Sequence, residues 1–103
     1  MRPKETVLAW VKAFNRADAD DVARFYAEDA IRHPVTDLAQ SGREAVREAY
    51  AREFRDADRV CLVENLFEDG EWAVLEWKDP QGLRGCACFR VVDGLIVLQR
   101  IYG

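Results

Sequence analysis

The chain has 103 residues, of which half are hydrophobic and a third are charged, and its net charge at pH 7 is −4. This composition is typical of one globular domain over residues 1–103 and excludes a disordered chain. No apolar run approaches the roughly 18 residues that cross a bilayer, and no basic cluster is present, so we expect neither membrane nor nucleic acid as a partner. The N-terminal segment has no signal-like apolar stretch, which predicts a cytoplasmic protein.

The chain has three cysteines, Cys61, Cys86 and Cys88, and a single histidine, His33. An odd number of cysteines favours reduced thiols over a disulfide framework. A structural zinc ion needs about four nitrogen or sulfur ligands, which these residues only just supply. We therefore expect no metal site and no cofactor.

The first half of the chain reads as helical. Pro3 is a good first helical residue, and apolar residues follow it at helical spacing: Val7, Trp10, Val11 and Phe14. Asp18 is the candidate N-cap of a second helix, which carries Val22, Phe25 and Tyr26 on one face. A short strand is predicted at 30–33, where Pro34 ends it.

A third helix is predicted to begin at Ser41, because the sequence from Ser41 to Glu44 fits the S-x-x-E capping box. Its inward positions are Val46, Tyr50 and Phe54. From residue 59 onward the pattern changes to hairpins, with turns at Asp69-Gly70, at 79–82 and at Asp93-Gly94. Four strands at about 59–68, 71–79, 83–92 and 95–102 form an antiparallel meander, so the predicted class is α+β.

Two-residue turns fix which side chains share a face of this sheet. The predicted registers place Glu76, Arg100 and Tyr102 on one face around the small residues Gly85 and Ala87. Small residues beside polar ones are typical of a pocket, although ordinary packing around a Glu76–Arg100 ion pair explains the same pattern. A shift of one residue in the middle turn would move Glu76 to the other face.

The second face of the predicted sheet is also strongly apolar, whereas three helices cover only one side. Monomeric proteins rarely expose an apolar patch of this size. The pattern favours a homodimer through the exposed face, and the alternative is a monomer with an apolar surface.

Several segments together resemble the NTF2-like superfamily, which includes SnoaL-like polyketide cyclases, ketosteroid isomerases and limonene-epoxide hydrolases. They are the WVKAFN segment at 10–15, the acidic segment at 18–30, His33-Pro34-Val35, the SGREAVR segment at 41–47 and the FRVVDGLI segment at 89–96. The resemblance implies a cone in which helices pack on the concave face of a curved sheet and enclose an apolar pocket. The convex face is then the exposed one.

The resemblance also assigns individual positions. The catalytic aspartate that the isomerases place before Pro-Val corresponds to His33, and histidine is a competent base near neutral pH. The oxyanion-donor tyrosine corresponds to Trp10, the supporting tyrosine to Tyr50, and the protonated pocket aspartate to Ala87, so ketosteroid isomerisation itself is not expected. The cyclases' final-strand aspartate has no counterpart.

The epoxide hydrolases use carboxylates bridged by arginine, with asparagine and tyrosine holding a water molecule. Glu76, Arg100, Asn65 and Tyr50 are residues of those types, but their spacing does not match the pattern. The resemblance is therefore specific for the fold and leaves the reaction open.

The sequence predicts a pocket for a small hydrophobic, carbonyl-bearing molecule, acted on by general acid/base chemistry of isomerase, cyclase or hydratase type. His33 is the candidate base, Arg100 the candidate anion stabiliser and Glu76 their candidate partner. The candidate ligand-binding residues are Trp10, Phe14, Tyr50, Phe54, Asn65, Trp72, Val74, Ala87, Phe89, Leu98 and Tyr102. The alternative is a non-catalytic module of the same fold that binds a ligand or dimerises.

Overall fold

A computed structural model describes all 103 residues, with three helices and one six-stranded sheet. The helices are α1 (Pro3–Asn15), α2 (Ala19–Ala23) and α3 (Arg43–Asp56). The strands are β1 (Tyr26–Pro34), β2 (Gln40–Ser41), β3 (Leu62–Asp69), β4 (Trp72–Lys78), β5 (Arg84–Val92) and β6 (Leu95–Tyr102). The strand order is β2-β1-β6-β5-β4-β3, and only β1 and β6 run parallel. The predicted α+β class and the meander β3–β6 are confirmed.

The helix starts follow local capping rules at two of three positions. α1 begins at Pro3, and the Asp18 carboxylate accepts a hydrogen bond from the backbone N–H of Asp21 at 3.1 Å, as an N-cap does. The capping box predicted at Ser41 is wrong, because Ser41 pairs with Ile31 in the β1–β2 ladder. Gly42 is the N-cap of α3 instead, and its φ of 95° is a conformation that glycine tolerates best.

The hairpin between β4 and β5 has three loop residues instead of two. The turn predicted at 79–82 is present, since the Gly82 N–H donates to the Asp79 carbonyl at 2.9 Å. Gly82 then takes a φ of 90° and adds a left-handed residue before Leu83. Glu76 therefore pairs with Cys86 and not with Gly85, so the predicted register is wrong by one residue.

The last hairpin contains a bulge that the turn pattern does not reveal. Near the Asp93-Gly94 turn, Val91 pairs with Ile96 as the two-residue turn requires. The register shifts between Arg90 and Val91, so that Cys88, and not Ala87, pairs with Arg100. In the first hairpin Phe67 pairs with Val74 and not with Trp72, which moves the register by two residues and keeps Phe67 and Asn65 on their predicted face, whereas a further shift pairs Val63 with Trp77.

These registers sort the sheet into two faces. The concave face packs against α1 and α3, and its buried residues are Arg32, Ala73, Leu75, Ala87, Phe89, Val91, Ile96 and Gln99. The convex face has no helix over it, and its apolar residues are Ile31, Phe67, Trp72, Val74, Cys86, Cys88, Leu98 and Tyr102. The core thus lies between the helices and the concave face.

Candidate functional site

A cavity of about 820 Å³ lies between the helices and the concave face. Its inner wall is aromatic and apolar, with Trp10 and Phe14 from α1 stacked at 5.2 Å between ring centroids and Tyr50 from α3 beside them. Ala87 lies on its sheet side. Exposed residues of the loops at 56–60 and 79–83 also line it, so this end is its mouth.

Four buried side chains from four elements form a hydrogen-bond cluster beside this aromatic wall. The Tyr26 hydroxyl accepts a hydrogen bond from Trp10 Nε1 at 3.1 Å and lies 2.9 Å from the Tyr50 hydroxyl. Gln99 Oε1 accepts from the Tyr26 hydroxyl and also lies 3.2 Å from that of Tyr50. Every hydroxyl of the cluster therefore has a partner although it is buried from water.

Burial raises the pKa of Tyr26 well above its usual range, and the nearby Tyr50 adds to the effect. An ionised phenol in this position would lose its hydration without a cation bonded to it. Tyr26 therefore keeps its proton at physiological pH and acts as a neutral hydrogen-bond donor.

Arg32 is a nearly buried cation at the polar end of the cavity, 5% exposed. Its guanidinium donates to Gln40 Oε1 at 2.8 Å and to Glu53 Oε2 at 2.5 Å, and its central carbon lies 4.4 Å from the centre of the Tyr50 ring. Burial alone would lower the pKa of Arg32, but Tyr50 and Glu53 together raise it. The carboxylate of Glu53 balances the positive charge of Arg32, so the ion pair gives this end of the cavity no net charge.

Two buried N–H groups in this region have no hydrogen-bond partner, namely Arg32 Nε and Gln99 Nε2. Arg32 and Gln99 are in register on the neighbouring strands β1 and β6, and both line the cavity. A buried donor without a partner costs about 1–3 kcal/mol. An acceptor atom beside either donor would therefore be stabilised.

The space predicted above Gly85 is occupied near the mouth. Trp77 pairs with Gly85 across β4 and β5, and its indole ring covers the glycine so closely that a Cβ there would lie 2.3 Å from Cζ2. Trp77 itself lines the cavity. The glycine therefore makes room for this aromatic wall and not for a ligand.

The structure brings some of the predicted site residues to the cavity and not others. Trp10, Phe14, Tyr50 and Ala87 line it. Phe89 is fully buried in the core and Phe54 packs against the core, but neither is a lining residue. The remaining predicted ligand-binding residues lie on the convex face because of the register shifts: Asn65, Trp72, Val74, Leu98 and Tyr102.

The three candidate catalytic residues also lie away from the cavity. Glu76 and Arg100 are exposed on the convex face, and their predicted positions beside Ala87 are wrong because the loop at Gly82 and the bulge at Val97 reverse their orientation. His33 is in register with Arg100 on β1 and does not line the cavity. The cavity-facing neighbour of His33 is Arg32.

Arg32, Glu53 and Gln99 were not predicted as site residues, and Tyr26 was predicted on the second helix, whereas it begins β1. One signal was available: Gln99 stands between Val97 and Ile101 in an alternating apolar strand, where a polar residue needs a buried partner. Arg32 likewise alternates with Ala30 on the inward side of β1.

The family of SnoaL-like domains matches residues 7–99, which is most of the chain. The chain belongs to the SnoaL-like domain family. No curated protein matches this chain.

None of its helices has the length and apolar content that a membrane-spanning segment requires. No three His, Cys, Asp or Glu side chains are grouped so as to hold a metal ion.

Solved structures share the fold of this SnoaL-like domain at low identity. An uncharacterised cystatin-fold protein from Novosphingobium aromaticivorans is similar with a TM-score of 0.87 and 16% identity, over 100% of this chain and 99% of that one. The epoxide hydrolase/cyclase-like enzyme SalBIII, which has a role in pyran ring formation in salinomycin, gives 0.82 and 22%, over 97% and 88%. A protein with a ketosteroid isomerase-like fold from Catenulispora acidiphila, in complex with trimethylamine, gives 0.80 and 17%, over 100% and 87%.

Proposed function

We propose that the cavity binds a small, mostly apolar molecule through a carbonyl oxygen and promotes proton transfer at the carbon next to it. The observation that carries the proposal is the pair of buried, unpartnered donors, Arg32 Nε and Gln99 Nε2, on residues that line one cavity. A carbonyl oxygen accepts two hydrogen bonds, and it becomes a stronger acceptor when the molecule enolises.

The charge balance at the polar end favours a neutral ligand over a carboxylate. Glu53 already neutralises Arg32, so an added anion would be buried with a net negative charge. The developing charge of an enolate is smaller and is shared between the two donors. In this proposal Arg32 takes the role of anion stabiliser that was predicted for Arg100.

Glu53 is the candidate base in place of His33. It lines the cavity, its side chain is 28% exposed, and only its Oε2 atom is bonded to Arg32, which leaves Oε1 free to accept a proton. The bond to Arg32 also fixes the carboxylate in position, which a general base requires. Hydrogen bonds from the hydroxyls of Tyr26 and Tyr50 to Oε1 hold the Gln99 side chain in position.

A second candidate function is binding without turnover, as a ligand carrier or sensor. The observation that favours it is the pairing of Glu53 with Arg32, because a carboxylate held by a guanidinium is a weaker base. The cavity and the donors are the same in both functions, and only the proton transfer differs.

The binding step is tested with ketones and matched hydrocarbons. We expect 1-indanone and 2-tetralone to bind at least tenfold more tightly than indane and tetralin, measured by ligand-observed NMR. Arg32→Lys keeps the positive charge beside Glu53 but removes the Nε donor, so it should abolish the preference for the ketone. Arg90→Lys, at the convex Arg90–Glu71 pair, is the matched control and should retain it. Equal binding of ketone and hydrocarbon to the unsubstituted protein would refute the proposal.

The proton-transfer step is tested by exchange of the α-hydrogens of 2-tetralone in D₂O. The protein should accelerate exchange, and Glu53→Gln should remove the acceleration while leaving ketone binding within about threefold. Glu48→Gln, an exposed glutamate on the same helix, serves as control. Binding of 2-tetralone without accelerated exchange would contradict proton transfer and support the carrier function.

The proposal includes a homodimer formed through the convex face and a cytoplasmic location. The convex face supports the first, since large apolar side chains such as Phe67 and Trp72 are exposed there. The second is supported by the cysteines, which are all free thiols and therefore suit a reducing compartment.

A further inference from the structure

The guanidinium of Arg32 has hydrogen-bond partners on two of its three nitrogens. Nη1 donates to Gln40 Oε1 at 2.8 Å, and Nη2 donates to Glu53 Oε2 at 2.5 Å. Nε is buried and has no partner, and Glu53 Oε1 accepts no bond from the guanidinium. The contact between Arg32 and Glu53 therefore uses one nitrogen and one oxygen, although each group has two to offer.

This single bond is not the arrangement that the two side chains favour by themselves. An arginine and a carboxylate frequently pair through two parallel N–H···O bonds, which together are stronger than one. Nε and Nη2 form one edge of the guanidinium, so a small turn of the group in its plane would bring Nε to Glu53 Oε1. That pairing would occupy both the free donor and the free carboxylate oxygen on which the proposed function depends.

Gln40 is placed where it opposes this turn. It is the partner of Arg32 in the antiparallel β1–β2 ladder, and such partners have their side chains on the same face. The other end of the Gln40 amide is also held, because Nε2 donates to the carbonyl oxygen of Leu38 at 3.1 Å. That bond directs Oε1, the acceptor of the amide, toward Arg32.

The ring of Tyr50 does not replace Gln40 in this respect. Its centre lies 4.4 Å from the central carbon of the Arg32 guanidinium, so the contact is made by the face of the cation. A ring on the face permits the group to turn within its own plane, whereas an acceptor on Nη1 restrains that turn. Gln40 is therefore the contact that selects one in-plane orientation.

We infer that Gln40 is a positioning residue, which holds the Arg32 guanidinium at Nη1 so that Arg32 and Glu53 share one hydrogen bond instead of two. It thereby keeps Arg32 Nε and Glu53 Oε1 available to a ligand, and it acts on the ligand through Arg32. The orientation rests on the three hydrogen bonds alone. Its consequence for binding and proton transfer rests on the function proposed above.

Two substitutions of similar size separate the acceptor of Gln40 from its donor. Gln40→Leu removes the acceptor, so Arg32 should turn and pair with Glu53 through Nε as well. Gln40→Glu keeps an acceptor oxygen and loses the bond to the Leu38 carbonyl, so the orientation of Arg32 should persist. The readout is the Nε–H resonance of Arg32 in ¹H–¹⁵N spectra, identified by its absence in Arg32→Lys. It should move downfield in Gln40→Leu, as expected when this proton bonds to a carboxylate, and stay near its original position in Gln40→Glu.

Ketone binding measures the consequence for the site. In Gln40→Leu the preference for 1-indanone over indane should fall from at least tenfold to below about twofold, because Nε is no longer free. Indane should bind within about threefold of its original affinity, since the aromatic wall is unchanged. Gln40→Glu should retain the preference for the ketone.

The spectroscopic and binding results can fail separately. An unmoved Nε–H resonance in folded Gln40→Leu, or an equal movement in Gln40→Glu, overturns the positioning role. A moved resonance with no ketone preference in the unsubstituted protein refutes the proposed function and supports the positioning role. Circular dichroism checks the fold of each variant, and Gln40→Ala makes the same test if the leucine side chain disrupts β2.

Discussion

The two faces of the sheet are both apolar but differ in what covers them. On the concave face, Phe89 and Leu75 are fully buried beneath α1 and α3. On the convex face, Phe67 is 56% exposed although it also lies in a β-strand of alternating pattern. The comparison teaches that hydrophobic periodicity identifies the faces of a sheet without identifying which face the helices cover.

The polar groups of the two faces differ in the same way. On the concave side, the buried hydroxyls of Tyr26 and Tyr50 bond to each other and to Gln99 Oε1. On the convex side, Arg100 and Glu76 point outward and have no charged partner. Buried polar groups therefore indicate an internal site, whereas exposed ones remain accessible to a binding partner.

Removing a phenyl ring from each face should give the largest difference. Phe89→Ala should lower the free energy of unfolding by about 3–5 kcal/mol, because it removes buried surface and leaves a cavity. Phe67→Ala should cost less than about 1 kcal/mol, since its ring is mostly in water. Urea unfolding of both variants at one protein concentration measures the contrast, and equal losses would contradict the assignment of the faces.

The buried thiol of Cys61, just before β3, should change the stability of the protein at alkaline pH. Burial raises the pKa of Cys61 to about 11, so the folded protein keeps this proton where the unfolded chain loses it. The stabilisation is full below about pH 9 and is lost as the pH rises through 11, by at most about 3 kcal/mol.

Cys61→Ala should remove this part of the alkaline loss, and urea unfolding between pH 8 and pH 11 follows it. Val74→Ala on the convex face removes no titrating group, so it is the control and should leave the slope unchanged. An identical slope in all three proteins would show that the burial of Cys61 does not govern it.

The smallest effect is expected at the loop that sets the faces. Gly82→Ala should cost about 1 kcal/mol through its φ of 90°, since no atom lies within 4 Å of the added methyl group. Gln81→Ala in the same loop should change the free energy of unfolding by less than 0.5 kcal/mol, on the order expected for surface positions. Chemical denaturation distinguishes the two, and equal effects would argue against the left-handed residue.

Much of the fold could be predicted from local signals. The Pro3 and Asp18 starts of the first two helices and the turns of the meander depend on residues close in sequence, and the structure has them. The Ser41 cap was wrong because a tertiary contact, the pairing of β2 with β1, competes with the local capping box.

The candidate site could be predicted only in part. The aromatic residues Trp10 and Phe14 of α1 and Tyr50 of α3 were found because helical spacing places each on the inward stripe of its own helix. Arg32 was missed in favour of His33, since adjacent strand residues face opposite sides and only the β1–β6 pairing decides which side is inward.

The amino-acid sequence by itself determined the elements, the family and the presence of two apolar sheet faces, because capping, turn chemistry and periodicity act over a few neighbouring residues. Only the tertiary structure decided which polar groups meet in the interior. The extra residue at Gly82 moves Glu76 off the face of Ala87, and the extra residue of β6 at Val97 does the same for Arg100, since successive strand residues point to opposite faces. Those two irregularities place Gln99 inside, where it meets the Arg32 of β1, and turn Glu76 and Arg100 outward.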